Sequence, residues 1–544
     1  MQEPWPGADS VRPMTETLSA EQRAHIGGGA RRWVVVASIG ALLAAWVMAN
    51  PPGAAPDEPA QYVKTVGLAY GEWLGRPIPA GETPAWEQEA WFQRLKPHVK
   101  EIRRDWFRRI SRIVTIPARM EPPIGFGCNA FHPERSAGEC PLADRAPTGE
   151  ATTYVGVRQP FAFLVSAPLV RAAESPAVGL RLARAGMAAL ALLLIGLAVF
   201  LVWDARAPAV SLLGLALAVS PMVVFIASSV SNSGPEIAAA IALFAAVARL
   251  ARGEPPSRAV WAALALGGVV LATVRPVGPV FLAIVVGIGV VFLGWRRARA
   301  LLVSHRRAFV AVGAAAAAAA AANLFWQFRY QPHGSVEQSG FWEFAREAFG
   351  DLGGMAREWV GVFGWTDTPL PSWAMWLWLA LAIALIVAAL RAGSARERVA
   401  IVGLGAGTVF AAVVISAAFA EPLGVGLQGR WVLPLIVGVP VLSGEVVRAR
   451  YGDALEKAAL TGIAIAGGLH VVAFWVNAWR HATGVDGSWW FFGAAEWSPP
   501  WSWWPWLALA ISGAAGLVLA ARSGSVRRLG YSSAPNPMEP SAHV

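Results

Sequence analysis

The sequence has little charge for its length. Only 15% of its 544 residues are Asp, Glu, Lys or Arg, while 56% are hydrophobic. Soluble globular proteins carry about a quarter charged residues, and they need them to cover their surface. The positive mean hydropathy of +0.47 also indicates an apolar chain. This composition excludes a soluble globular protein and predicts a polytopic membrane protein.

Several motifs are also missing from the sequence. It contains no Walker-type phosphate loop and no cluster of zinc ligands, which argues against ATP-driven pumping by this chain alone. No internal repeat suggests two symmetric halves, although transporter repeats can be hard to see in sequence. The absence therefore weakens a transporter interpretation without excluding it.

Cysteine is scarce as well. The chain has two, Cys128 and Cys140, and both fall in a long segment that the charge pattern places outside the cell. Because that compartment permits oxidation, the sequence predicts a disulfide between them. A pair of unlinked thiols is the alternative.

Long apolar stretches are what the sequence has in abundance. About twelve are long enough to cross a hydrocarbon core of roughly 30 Å, and they predict an all-α bundle. They run over residues 33–49, 185–203, 208–230, 236–251, 259–274, 277–294, 308–325, 373–390, 399–419, 431–447, 458–476 and 504–521.

The formal net charge of +10 does not indicate nucleic acid, because the basic residues gather in alternate short loops. The positive-inside rule places such loops in the cytoplasm. It predicts a multi-pass membrane protein, with residues 1–32 and 522–544 as cytoplasmic tails around a transmembrane domain of 33–521. A cleavable signal peptide at the N-terminus is the alternative to an anchor.

Three segments are predicted to lie outside: a large first loop at 50–184 and smaller loops at 327–372 and 477–503. Unusual polar residues collect at span ends on this same side, and ionisable groups at membrane depth tend to mark function. These residues are Asp57, Glu58, Asn232, Glu236, Arg275, Asp367, Gln428 and Arg430.

The adjacent carboxylates Asp57 and Glu58, set among prolines, suggest chemistry at the membrane interface. A carboxylate can take a proton from an attacking hydroxyl, and arginines can bind a phosphate diester and stabilise the phosphate that leaves. An ion pair of Asp57 with Arg430 would be compatible with this, since it keeps the base ionised. The two carboxylates could also hold Mg or Mn, and no other cofactor is indicated.

Four ordered motifs resemble a known family. Pro56-Asp-Glu-Pro-Ala-Gln61, Val230-Ser-Asn232, Phe363-Gly-Trp-Thr-Asp-Thr-Pro-Leu-Pro371 and Gln428-Gly-Arg-Trp-Val-Leu-Pro434 look like the signature segments of the bacterial domain of unknown function 2142. That family is similar to the GT-C superfamily of integral-membrane glycosyltransferases. The resemblance covers about residues 33 to 520.

The resemblance implies a GT-C-like bundle whose first exterior loop carries the catalytic acid. It also implies a polyprenyl-phosphate-linked sugar as donor and an envelope glycan, lipid or protein as acceptor, with the active site facing the exterior. Asp57 and Glu58 become the catalytic candidates, and Arg430, Arg275 and Gln428 the candidates for the donor phosphate. Candidates for other substrate contacts are Gln61, Asn232, Glu236, Trp365 and Asp367.

The chain departs from the family pattern in three places. Gln61 stands where histidine is common, Ser233-Gly234 replace Pro-Asp, and Trp431 replaces tyrosine. Glu236 could substitute for the missing acid. Two alternatives stay open: a transporter or flippase for lipid-linked glycans, and a noncatalytic partner subunit that keeps the fold.

Overall fold

The computed structural model describes residues 20–88, 90–93, 97–123, 125–140, 148–332, 340–423 and 428–522. This part of the chain is mostly helical, which confirms the all-α fold. Its helices are α1 Ala20–Ala49, α2 Glu58–Ala69, α3 Ala90–Gln93, α4 Pro97–Ile110, α5 Ala167–Arg171, α6 Pro176–Val202, α7 Pro208–Ala218, α8 Pro221–Ala227, α9 Ser233–Ala251, α10 Arg258–Val274, α11 Gly278–Leu293, α12 Trp295–Ser304, α13 Arg306–Tyr330, α14 Phe341–Gly350, α15 Leu352–Val360, α16 Ser372–Ala392, α17 Ala395–Leu423, α18 Leu433–Ile436, α19 Gly438–Tyr451, α20 Glu456–Thr483 and α21 Trp504–Ala521.

Two short antiparallel strand pairs complete the described secondary structure. Strands β1 Arg112–Thr115 and β2 Glu150–Thr153 pair in the segment between α1 and α6. Strands β3 Val362–Phe363 and β4 Thr368–Pro369 form a tight hairpin between α15 and α16.

The predicted count of twelve spans is not confirmed. Within the described residues, eight helices are long and apolar enough to cross a membrane, or up to ten if each of two bent pairs is one span. The stretch predicted as one span at 208–230 is the pair α7 and α8, bent by 63°. The bend falls just before Pro221, whose ring disfavours a continuous helix.

The other differences in the count also have local causes. Helix α11 turns by 107° into α12 at Gly294, which has a φ of +81. Helix α10 is 17 residues long, which is at the lower limit for a helix that crosses a hydrocarbon core of about 30 Å. The two predicted spans 431–447 and 458–476 correspond to α18 with α19 and to α20, which follow one another within the helical stretch Leu433–Thr483.

Three helices begin at serines whose side chains accept a backbone N–H of the first turn. Ser175 caps α6, Ser220 caps α8 and Ser257 caps α10. Such caps satisfy donors that would otherwise lack a partner at a helix start. The sequence thereby fixes where these helices start.

Helix α9 lies at the centre of the bundle. It packs against α6, α10, α11 and α19, and nearly every one of its residues is buried. Its many alanines let neighbouring backbones approach closely, as small residues do in membrane bundles. At 19 residues it is about 28 Å long, so its two ends mark two well-separated regions.

Between α1 and α6 the chain forms a small domain that rests on one end of the bundle. Its core combines residues of α2 and α5 with Leu180 and Met187 of α6. A disulfide joins Cys128 and Cys140, whose Cα atoms are 5.8 Å apart. Through Glu58 and Gln61 of α2, this domain contacts the N-terminal end of α9 at Val230 and Asn232.

Candidate active site around Asp57

Asp57 is held in an unusual backbone conformation immediately before α2. Its φ is +63, a left-handed value that Asp and Asn tolerate better than most residues. Four residues earlier, Gly53 has a φ of +71, and a Cβ there would lie 1.9 Å from the carbonyl oxygen of Phe126. The turn that presents Asp57 therefore packs directly on the 125–127 turn and requires glycine.

The Asp57 carboxylate has two hydrogen-bonding partners. Arg430 Nη2 donates to Oδ2 over 3.0 Å, and the hydroxyl of Tyr154 donates to Oδ1 over 3.1 Å. Burial acts to raise the pKa of the Asp57 carboxyl, but the charges of Arg430 and Arg158 and the two hydrogen bonds outweigh it and hold the pKa below its ordinary value. The carboxylate is 24% exposed, so it is an ionised proton acceptor within reach of a ligand.

Arg430 lies on a 3-10 turn, Gly429–Trp431, and is 3% exposed. Besides Asp57, its guanidinium donates to the Pro56 carbonyl over 3.4 Å. Burial lowers the pKa of Arg430, and the nearby charge of Asp57 opposes that shift. The ion pair that the sequence analysis considered compatible with catalysis is present, and it connects the last motif to the first.

Glu358 of α15 supports the turn that carries Arg430. Its carboxylate accepts the Gly429 N–H. A Cβ on Gly429 would lie 2.8 Å from the Met355 carbonyl oxygen, so the turn packs against α15 without space for a side chain. Burial raises the pKa of Glu358 to about 7, an effect that the Gly429 N–H and Arg430 only partly offset.

Arg275 reaches the same region from the C-terminal end of α10. It donates to Glu236 over 3.1 Å, and its guanidinium lies 5.6 Å from the centre of the Trp431 ring. The side-chain amide of Asn323 donates a hydrogen bond to the Arg275 backbone carbonyl over 2.7 Å. Arg275 is close enough to Arg430 for their charges to interact, so the structure brings both predicted arginines together.

Besides Glu358, sequence reasoning missed two residues of the site, Tyr154 and Arg158. Both come from a turn after β2, and Arg158 interacts electrostatically with Asp57 and Arg430. The Arg158 side chain is partly exposed and makes no hydrogen bond to a described residue. No motif marks this turn, because it lies in a long loop whose position depends on tertiary packing.

Glu58 is placed differently from its neighbour Asp57. It is 0% exposed, and Arg184 donates to both of its oxygens over 2.8 and 2.6 Å. The Val230 N–H also donates to it over 3.0 Å. Glu58 thus joins α2 to α6 and to the start of α9, and the adjacent carboxylates do not converge on one point.

Gln61 and Asn232, two candidates for substrate contacts, lie against each other. The Gln61 side-chain oxygen accepts the Asn232 N–H over 3.1 Å, and the two side chains are 2% and 8% exposed. Both therefore fix α2 against the start of α9.

Trp365 and Asp367 lie in the β3–β4 hairpin. The Trp365 indole N–H donates to the Gly53 carbonyl over 2.9 Å. Asp367 accepts from Arg480 over 3.3 Å, and its exposed fraction is 8%. The hairpin motif is therefore packed beside the turn that presents Asp57.

Gln428 precedes the Arg430 turn. Its side-chain oxygen is buried without a hydrogen-bond partner among the described residues. Buried polar atoms are normally paired, so an orphaned acceptor beside an arginine cluster is consistent with a contact that a ligand completes.

A metal does not fit between Asp57 and Glu58. The oxygens of Glu58 are taken by Arg184 and a backbone N–H, and those of Asp57 face Arg430 and Tyr154. In the described part of the chain no group of three or more His, Cys, Asp or Glu side chains could hold a metal ion. Donors surround these carboxylates, where a cation would need further oxygen ligands.

The chain was compared with known proteins. A family model described as predicted membrane protein (DUF2142) matches residues 41–439, a range that contains Asp57, Arg158, Arg275 and Arg430. No curated protein matches the sequence.

Two crystal structures of ArnT from Cupriavidus metallidurans are similar to the chain. The apo structure has 15% sequence identity and a TM-score of 0.41, covering 91% of this chain and 77% of that one. The structure bound to undecaprenyl phosphate has 14% identity and a TM-score of 0.39, covering 92% and 77%. We draw no correspondence between residues at these values.

Proposed function

This chain belongs to the DUF2142 family of predicted membrane proteins, and we propose that it is an integral-membrane glycosyltransferase. The donor is a polyprenyl-phosphate-linked sugar, and the acceptor is a hydroxyl of an envelope glycan, lipid or protein. Within the matched range, the residues around Asp57 have the chemistry that this transfer requires.

One observation carries the proposal: a partly exposed carboxylate, Asp57, is held at a left-handed φ among Arg430, Arg158 and Tyr154. Backbone conformations that cost energy tend to persist where function needs them. A carboxylate that stays ionised beside several arginines suits a reaction with a hydroxyl nucleophile and an anionic leaving group.

In the proposed step, the acceptor hydroxyl oxygen forms a bond to the anomeric carbon of the donor sugar. Asp57 takes the hydroxyl proton as this bond forms. The bond between the anomeric carbon and the phosphate oxygen breaks, and polyprenyl phosphate leaves with the electron pair. No oxidant, nucleotide or metal is needed to balance this step.

The leaving phosphate is held by arginines in this scheme. Arg158 has donor groups that face no described hydrogen-bond acceptor, whereas Arg430 and Arg275 already pair with Asp57 and Glu236. We therefore give Arg158 the direct phosphate contact and Arg430 and Arg275 a supporting electrostatic role.

The remaining candidates divide by their burial. Gln428 is proposed to contact substrate, and Trp365, which is 5% exposed and bonded to Gly53, is proposed to support the turn that presents Asp57. Buried side chains with protein partners are proposed to hold the site in shape, namely Glu58, Gln61, Asn232, Glu236 and Asp367.

The membrane orientation is part of the proposal. The clusters of arginine in alternate loops support cytoplasmic termini and an Asp57 site on the exterior face. Polyprenyl phosphates can present sugars there, where nucleotide sugars are not supplied.

The test is sugar transfer by purified protein in detergent, with radiolabelled polyprenyl-phosphate sugars offered to envelope extracts. Asp57→Asn should lower the rate by about 10²- to 10⁴-fold, the usual contribution of a general base. The matched control is Asp204→Asn, because Asp204 also pairs with an arginine at 3.0 Å and is 25% exposed, against 24% for Asp57. Full activity in Asp57→Asn would remove the base assignment.

A second candidate function, transport of a lipid-linked glycan, is favoured by the broken helix formed by α7 and α8. Broken helices line many transporter sites. Here, however, the Val219 carbonyl at the break is bonded to His470 and the Ser220 hydroxyl donates to the Trp359 carbonyl. Movement of labelled lipid across proteoliposomes without sugar transfer would favour this candidate.

A further inference from the structure

Phe131 has a backbone conformation that aromatic residues rarely adopt. Its φ is +59, and only five described residues other than glycine have positive φ. Asp57 and Thr366 are two of the others, and both belong to the motifs around the candidate active site. A bulky residue in this region is an outlier that calls for an explanation.

The position of Phe131 is fixed from both sides. A single buried arginine, Arg480, donates to the carbonyl of Asn129 over 2.7 Å and to that of His132 over 3.2 Å. The disulfide between Cys128 and Cys140 closes the same loop. These contacts hold one short turn rigidly at the edge of the site.

The turn lies next to the residues that contact Asp57. Ala130, the neighbour of Phe131, is buried in one hydrophobic cluster with Tyr154 and Trp365. The ring of Phe131 meets Trp365 edge to face, with ring centres 5.4 Å apart. Tyr154 donates to Asp57, and Trp365 donates to Gly53 of the Asp57 turn.

Phe131 nevertheless keeps part of its ring accessible. It is 37% exposed, whereas Trp365 behind it is 5% exposed. A ring placed only for the core would gain more stability from complete burial. The rigid mounting of the ring instead suits recognition of a ligand.

We propose that Phe131, backed by Trp365, is the surface on which a pyranose ring of the donor or the acceptor stacks during transfer. The C–H face of a pyranose is apolar and matches an aromatic ring, while its hydroxyls need polar partners nearby. Asp57, Tyr154 and Arg158 supply such partners. This inference rests on the proposed glycosyltransferase function.

The test variant is Phe131→Gly, since glycine adopts positive φ without strain. The protein should unfold at the same temperature or higher, because the strain is relieved. The KM for one sugar substrate should rise about tenfold. Phe131→Tyr keeps the ring and should retain the wild-type KM, and Phe131→Asn repeats the removal of the ring with a residue that also tolerates positive φ.

The matched control is Trp501→Gly. Trp501 is an exposed aromatic residue with a φ of +63 and an exposed fraction of 75%. It packs on Trp506, in a segment that contributes no residue to the Asp57 site. This variant should relieve the same kind of strain and leave both KM values unchanged.

Two readouts separate the possible outcomes. A rise in the KM of the polyprenyl-phosphate sugar alone assigns the platform to the donor, and a rise in that of the envelope acceptor alone assigns it to the acceptor. Equal KM values in Phe131→Gly and wild type would overturn the platform while leaving transfer intact.

The second readout is saturation-transfer NMR with a panel of methyl pyranosides, which needs no reaction.

The NMR signal should fall in Phe131→Gly and stay unchanged in Trp501→Gly. If wild type shows no sugar transfer at all, the proposed function fails and this binding experiment decides the platform by itself. Equal saturation transfer in Phe131→Gly and wild type would then reject it.

Discussion

Two clusters of arginines and carboxylates lie at opposite ends of α9, one around Glu445 and one around Asp57. In the Glu445 cluster, Glu445 accepts from Arg252 and Arg448 with both of its oxygens. Arg448 also donates to Asp204 over 3.0 Å. Two arginines thus meet two carboxylates, and the charges balance.

The Asp57 cluster is less complete. It contains Arg158, Arg275 and Arg430, while Asp57 and Glu236 each accept one arginine. Arg430 Nε and Glu236 Oε1 are buried without a hydrogen-bond partner in the described part of the chain, as is Gln428 Oε1. No side-chain atom of the Glu445 cluster is in that state.

An ion pair alone does not identify a functional site in this protein. Asp57 and Asp204 have the same distance to their arginine and nearly the same exposure. What distinguishes Asp57 is its left-handed backbone and its neighbours with unused donors and acceptors. Leaving buried polar groups unpaired is costly, so the incomplete cluster is where we expect a ligand.

The largest effect on stability should follow from breaking the complete cluster. Glu445→Gln leaves two arginines without their shared carboxylate, and removing one partner of a buried ion pair costs about 3–5 kcal/mol. Thermal and chemical unfolding in detergent would measure the loss. Glu236→Gln removes a carboxylate that contacts one arginine, so it should lower the free energy of unfolding by less. Equal losses in the two variants would contradict the difference between the complete and the incomplete cluster.

A smaller and different effect is expected from Arg158→Ala in the incomplete cluster. Loss of one charge-assisted hydrogen bond to phosphate corresponds to about 1.5–3 kcal/mol, which is a fall of roughly 10- to 100-fold in kcat/KM for the donor. Steady-state kinetics against donor concentration would show it, with the unfolding temperature unchanged. Arg252→Ala is the matched control, and it should lower stability without changing donor use.

A smaller effect on stability than that of Glu445→Gln should be a pH dependence from Glu358. Its pKa is raised to about 7 from an ordinary 4.5, so the neutral form is favoured in the folded protein. The stabilisation is complete below about pH 4.5 and is lost as pH rises through about 7. Wild type should therefore lose about 2–3 kcal/mol between pH 5 and 8 relative to Glu358→Gln.

Unfolding of both proteins at the two pH values measures this difference. Parallel pH profiles for wild type and Glu358→Gln would show that Glu358 does not titrate in this range. The Asp57 pair has the opposite sign, because its lowered pKa makes its stabilisation present at neutral pH and lost only in acid.

Sequence reasoning was sound where the signal is local. Apolar runs identified a helical membrane protein, two of the four motifs contain Asp57 and Arg430, and the pattern of polar residues at span ends added Arg275. It was less successful at the span count, because bends such as the one between α7 and α8 depend on packing as well as on Pro221. It paired Glu58 with Asp57 from adjacency, although consecutive side chains point in different directions.

The sequence by itself determined the helical membrane class and the family, because hydrophobic length and short motifs are read along the chain. Only the tertiary structure decided which side chains surround Asp57. Arg430 lies 373 residues from it in sequence and Tyr154 lies 97 residues away. Contacts over such separations form only when the small domain between α1 and α6 packs on the bundle, so no local pattern could reveal Arg158 or the ring of Phe131.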